Sequence, residues 1–156
     1  MIPLILEPQS LSALMGQEST KPLLLVDLSS AENYSKAHLK DAIHIQPRLL
    51  VSGVKPAVGK LPKLDHLNQL FSSMGYHQDK HIVAYDDEGG GWAGRFIWTL
   101  DVIGHKNMSY LNGGIHAWIA AQLPTTRELP VIKQTRANLT IHTEFIATKN
   151  EILECS

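Results

Sequence analysis

One stretch limits the folds open to this chain more than any other. His81-Ile82-Val83-Ala84-Tyr85 reads as a buried strand, Asp86-Asp87-Glu88-Gly89-Gly90-Gly91 as an acidic, glycine-rich loop, and the segment from Trp92 through Trp98 as a helix. A strand without polar alternation has to be covered on both faces, the condition of a parallel sheet in an α/β protein. In such proteins the loop between a strand's carboxyl end and a helix N-terminus is where anions bind and nucleophiles sit. Here three consecutive carboxylates stand where an anion would land. The loop's backbone and its side chains point to opposite functions.

The remainder of the chain repeats the alternation. Pro22-Leu23-Leu24-Leu25-Val26-Asp27 is a second unalternating run, and Leu4–Leu6, Ile43–Ile45 and Asn107–Leu111 are shorter strand candidates. Between them the pattern predicts five helices. One opens on Pro8, runs through Leu11, Leu14 and Met15, and stops at Gly16; another has Ser29 or Ser30 as N-cap and carries Tyr34. A third starts at Pro62 with Leu64, Leu67, Leu70, Phe71 and Met74 on one stripe and Gly75 as its stop. The fourth runs from Trp92 to Gly104, and the fifth from Ile115 to Ala121 after an Asn112-Gly113-Gly114 turn. Residues 47–61 read as a long loop. Strands alternating with helices in this way predict a parallel sheet between two helical layers.

The fourth helix carries two apolar sides. At about 100° per residue, Trp92, Phe96, Leu100 and Ile103 form one stripe, while Trp98 and Val102 lie opposite, beside Gly94 and Arg95. A helix apolar on both sides is buried on both.

Past Pro124 the periodicity ends, and residues 129–142 read as a linker. Thr148-Lys149-Asn150-Glu151 then fits a capping box before Ile152 and Leu153, a helix launched under two turns before Ser156. The expected organisation is a domain over 1–128, a linker over 129–142, and in 143–156 the truncated start of a second domain.

Among its 156 residues, 44% are hydrophobic and 19% charged, with a net charge of −1, so neither nucleic acid nor an anionic membrane is expected as partner. The apolar start lacks a basic flank and is broken by Glu7-Pro8, so it is expected to be neither a signal peptide nor a membrane span. Cys155 is the single cysteine, which fits a reducing, cytoplasmic setting.

Two sets of residues resemble the rhodanese (thiosulfate sulfurtransferase) superfamily. Leu25-Val26-Asp27, Tyr34, His38-Leu39 and Ala42-Ile43-His44-Ile45 are similar to its first signature. More specific are Tyr85 through Arg95, Gly104-His105, and Tyr110-Leu111-Asn112-Gly113-Gly114-Ile115-His116-Ala117-Trp118, similar to the amino-terminal domain of two-domain sulfurtransferases. The resemblance implies a three-layer α/β/α domain with a mostly parallel five-stranded sheet. In active members a cysteine follows the strand that Tyr85 ends, and it carries sulfane sulfur from thiosulfate to cyanide or a thiol. Asp86 occupies that position, and Leu28-Ser29 stands where the first signature has an arginine.

A carboxylate cannot hold sulfane sulfur as a persulfide, which needs a polarisable thiolate. Asp86, Asp87 and Glu88 together would also repel a thiosulfate dianion, by about 1 kcal/mol per pair in water at 4 Å and several times that near a protein surface. The expectation is therefore a chain with no catalytic residue of its own, no cofactor and no metal. Its loop Asp86–Gly91 is degenerate, and its partner is a catalytic rhodanese domain beyond residue 156. Trp92, Arg95, Trp98 and Val102 are the candidates for facing that domain. Two alternatives stand beside it: an inactive rhodanese-like binding module, and a Mg²⁺-dependent phosphoryl-transfer enzyme using Asp86. His77 and His81 are expected to be exposed turn residues rather than zinc ligands.

Overall fold

Five parallel strands form one sheet in the order β1-β5-β4-β2-β3. They are β1 (Ile5–Leu6), β2 (Leu23–Asp27), β3 (Ile43–His44), β4 (His81–Tyr85) and β5 (Met108–Leu111). The computed structural model describes residues 2–16, 22–50 and 63–140. Pro62, the capping box at Thr148–Glu151, and Cys155 lie outside the described residues.

The sheet is parallel throughout, and its two central strands explain the unalternating runs. In β2, Leu24 and Val26 join one core cluster and Leu25 the other; in β4, Ile82 and Ala84 face the first cluster while Val83 and Tyr85 face the second. The first cluster is closed by α3 (Leu64–Ser73) and α4 (Gly91–Val102), through Leu67, Phe71, Phe96 and Leu100. The second is closed by α1 (Pro8–Met15) and α5 (Gly114–Ala120), through Leu11, Ile115 and Trp118. These are the three layers the sequence pattern predicts. The remaining helix, α2 (Ala31–Lys36), has Ser30 as its N-cap, the hydroxyl accepting from the Asn33 N–H at 3.1 Å.

Helix ends follow the local signals. Past α3, Tyr76 N–H donates to Phe71 and Gly75 N–H to Ser72; past α4, His105 N–H donates to Leu100 and Gly104 N–H to Asp101. Both are Schellman closures that satisfy the last helical carbonyls.

The strand order fixes where a site can form. From β2 the chain moves outward to β3, then returns to β4 on the other side of β2 and continues to β5 and toward β1. The loops after β2 and β4 therefore diverge, leaving a crevice at the carboxyl end of the sheet. Asp86–Gly90 lies at that switch point.

After α5 the chain crosses to α2, where His38 and Thr126 form an antiparallel bridge. It then lies along α3: Thr135 N–H donates to Ser72 O, Ala137 N–H to the Ser72 hydroxyl, and Leu139 N–H to the Asn68 amide oxygen.

Candidate functional site

The site is built on the step from β4 into α4. Tyr85 ends the strand fully buried, and Asp86, 1% exposed, turns its side chain inward rather than toward solvent. One carboxylate oxygen accepts from the Glu88 and Gly90 N–H groups at 3.0 and 2.9 Å; the other accepts from the Ala93 N–H at 2.9 Å. The loop, the N-cap Gly90 and the first turn of α4 each direct one N–H at a carboxylate of their own chain. A helix N-terminus carries roughly half a positive charge and binds anions there; here the anion is covalently supplied.

The glycines shape this cradle. Gly90 adopts a left-handed φ of 102° and leads into α4; a Cβ at this position would lie 2.4 Å from the Tyr110 hydroxyl oxygen. Gly114, at φ 60°, lies so close beneath the loop that a Cβ would be 2.2 Å from the Asp86 carbonyl oxygen. That closeness lets the Ile115 N–H donate to the Asp86 carbonyl at 3.1 Å. The phenol of Tyr110 is pushed above its ordinary range by burial and then by the Asp86 charge.

The three acids do not act alike. Only Asp86 enters the cradle. Asp87 is half-buried, its carboxylate accepting from the Asn33 side-chain amide and its carbonyl from the His116 ring at 3.0 Å. Glu88 is exposed. The expectation that all three carboxylates crowd the anion's place is therefore corrected: consecutive loop residues point in different directions, and Asp86 is the one of the three that accepts from the Glu88, Gly90 and Ala93 N–H groups. Asn33, Tyr110, Gly114 and His116 hold the loop and were not singled out as its supports from the sequence. The Gly113-Gly114 pair was legible as a turn, but its contact with Asp86 depends on tertiary packing.

Neither oxygen of Asp86 faces solvent, which leaves it poorly placed to attack phosphorus or ligate Mg²⁺. Among the described residues, no three His, Cys, Asp or Glu side chains gather around a common point suited to a metal ion. His77 is exposed and pairs with Asp79, but His81 is not the exposed residue expected. It is 4% exposed, the first residue of β4, and its Nε2 bonds the Ser109 hydroxyl on β5 at 2.7 Å.

A polar cluster lies beneath the neighbouring loop after β2. Asp27 and Tyr85 are register partners and both fully buried. Burial raises the Asp27 carboxyl above its ordinary range, against the hydrogen bond from the Ser29 N–H at 2.7 Å and the nearby Tyr85 hydroxyl; its second oxygen has no close hydrogen-bond partner among the described residues. Burial and the Asp27 charge push the Tyr85 phenol upward and bring that of Tyr34 to about 12.

On α4, Phe96, Leu100 and Ile103 are buried in the core, with Trp92 packed against it. On the opposite side Val102 is already fully buried within the chain, while Trp98 is half-buried with the Arg95 guanidinium 4.5 Å from its ring centre. Arg95 also donates to the Leu50 carbonyl at 3.4 Å, so two of the side chains given to a partner surface, Arg95 and Trp98, already pack against each other.

Comparison with known proteins meets this geometry. The family model for the rhodanese-like domain matches residues 7–121. The chain belongs to the rhodanese-like domain family. It is 43% identical over 152 residues to a thiosulfate sulfurtransferase of Azotobacter vinelandii, covering 97% of this chain and 55% of that protein. It is 45% identical over 148 residues to a thiosulfate sulfurtransferase of Pseudomonas aeruginosa, covering 95% and 54%. The chain spans about half the length of these relatives. Among solved structures, the rhodanese fold of Escherichia coli SseA, described with 3-mercaptopyruvate sulfotransferases, superposes with a TM-score of 0.80 at 20% identity, covering 92% of this chain and 57% of that one. The likeness to SseA is one of fold.

Proposed function

We propose that this chain is the amino-terminal, catalytically silent rhodanese domain of a thiosulfate:cyanide-type sulfurtransferase. In this reading the whole protein takes sulfane sulfur from thiosulfate and passes it to cyanide or a thiol, on a cysteine in a catalytic domain beyond residue 156. This half supports that domain, residues 129–142 link the two, and residues 143–156 begin the second. Of the candidates Trp92, Arg95, Trp98 and Val102, the half-buried Trp92, Arg95 and Trp98 are the side chains left to face it, since Val102 is fully buried within this chain. A reducing, cytoplasmic setting is part of the same reading, since a sulfur-carrying cysteine has to stay a free thiol.

The observation that carries the reading is the Asp86 carboxylate seated on the Glu88, Gly90 and Ala93 N–H groups. Three N–H groups of a loop that would stabilise a thiolate or a bound oxyanion are satisfied internally, and the residue satisfying them has no sulfur chemistry. The half-length match to two thiosulfate sulfurtransferases supports the wider assignment.

The test is sulfur loading. The purified chain is incubated with thiosulfate and examined by intact-mass spectrometry and cyanolysis, with Cys155→Ser, which has no thiol, as the blank. The reading expects no cyanide-releasable sulfur on the unmutated chain above that blank. Stoichiometric sulfur on it, absent from Cys155→Ser, would overturn the assignment.

A further inference from the structure

His38 is fully buried and sits where three segments meet. Its backbone exchanges two hydrogen bonds with Thr126, at 2.9 and 2.8 Å. Its ring Nδ1 lies 2.8 Å from the Tyr34 carbonyl oxygen in the last turn of α2, and Nε2 lies 2.7 Å from the Glu128 carbonyl oxygen. Both partners are carbonyl oxygens, which only accept. A neutral imidazole has a single N–H and would set a bare nitrogen lone pair against one of them. Only the doubly protonated ring donates to both.

Two further features favour a cation here. The ring caps the carboxyl end of α2, where the helix dipole is negative, and it stacks on Tyr34 with centroids 3.9 Å apart and planes 10° off parallel. The titratable groups around this cluster include Tyr34 on α2, which also stacks on His44 at 4.8 Å, Asp27 on β2, Tyr85 on β4, whose hydroxyl accepts from the Leu39 N–H, Lys40 and Asp41, which line a cavity with Thr126 and Glu128, and the exposed Arg127 and Glu128 on the crossing segment. The Glu128 side chain is exposed and only its carbonyl meets the ring.

We infer that His38 is a proton-dependent clamp: its imidazolium ties the Glu128 carbonyl to the end of α2, and loss of one ring proton gives up one of these two bonds and loosens the segment Thr126–Glu128, leaving the His38–Thr126 backbone pair to hold it. Beyond Glu128 the chain runs exposed through Leu129 and Val131 before it is pinned again at Thr135. Release at Glu128 therefore lengthens the free run between two anchors. The clamp is a property of this chain alone; only its consequence for a second domain, a looser linker at higher pH, rests on the function proposed above.

The experiment uses the ¹⁵N-labelled chain between about pH 5 and pH 8, the range in which imidazoles change charge. Long-range ¹⁵N–¹H correlation reads both ring nitrogens of His38, and hydrogen exchange reads the Thr126 amide against the Ile82 amide inside β4. The expected result is two protonated ring nitrogens at the acid end. Thr126 protection should then fall, by up to about tenfold per pH unit, above the pH of about 6.5 at which a released imidazole loses its proton, with Ile82 unchanged. His38→Gln, which keeps an N–H donor but no titration, should lose that pH dependence. A bare ring nitrogen with Thr126 still protected, or unchanged pH dependence in His38→Gln, overturns the inference. If the variant does not fold, the wild-type ring and exchange data decide it.

Discussion

Replacing Asp86 by alanine removes the acceptor of three backbone N–H groups at once. The Glu88 and Gly90 groups belong to residues that reach solvent and recover water, whereas Ala93 is fully buried and its N–H cannot. A buried donor left unsatisfied costs about 1–3 kcal/mol, and the loss of a charged cap over the two outer donors adds about 1 kcal/mol. Asp86→Ala should therefore destabilise by about 2–4 kcal/mol. At about 2–4 °C per kcal/mol for a domain of this size, Tm falls by roughly 4–16 °C. Asp86→Asn keeps an oxygen for the two outer donors but turns an NH2 toward the Ala93 N–H, and should fall between alanine and wild type. Urea unfolding followed by circular dichroism, with an unchanged m-value, measures both. If both variants unfold within about 0.5 kcal/mol of wild type, the range of an ordinary surface change, the carboxylate does not hold the loop.

Three other perturbations probe the supports. Gly114→Ala forces a Cβ to within 2.2 Å of the Asp86 carbonyl at a left-handed φ; it should cost more than about 2 kcal/mol and broaden the Asp86–Gly90 amide signals, and a wild-type spectrum would refute the packing. Asp27 has a raised pKa through burial, so the folded state holds its proton above the pH at which the unfolded chain releases it. Its contribution to stability is then greatest below the unfolded value of about 3.9 and declines as pH rises toward the folded value. Asp27→Asn should flatten that part of the stability–pH curve, and a variant with the wild-type slope would contradict it. Arg95→Ala removes the guanidinium over Trp98; a loss of about 0.5–1 kcal/mol and easier acrylamide quenching are expected, and unchanged quenching would argue against that contact.

Much of the fold was legible because its signals are local. The unalternating runs at Leu23–Val26 and Ile82–Tyr85 are read correctly since each strand supplies both core clusters. Ser30 rather than Ser29 caps α2, a choice the residue types leave open; it is decided when the Ser29 N–H turns to Asp27. Pairings between distant segments were not legible. His81 sits at the edge of an apolar run and looks like a turn residue until the β4–β5 register brings Ser109 against its ring. The loop shows the same limit. Its three acids are equivalent in one dimension, and only the turn at Gly90 and the approach of Gly114 send Asp86 inward. Asn33, which binds Asp87, lies 54 residues away in sequence.

The central claim is that the anion cradle after β4 is filled by the chain's own carboxylate. Amide spectra recorded while thiosulfate or sulfate is added test it directly, read at Glu88, Gly90 and Ala93. The account predicts no saturable change at these amides in the wild-type protein and a saturable one in Asp86→Ala, whose donors are released. Saturable shifts at the same three amides in the wild type would contradict it.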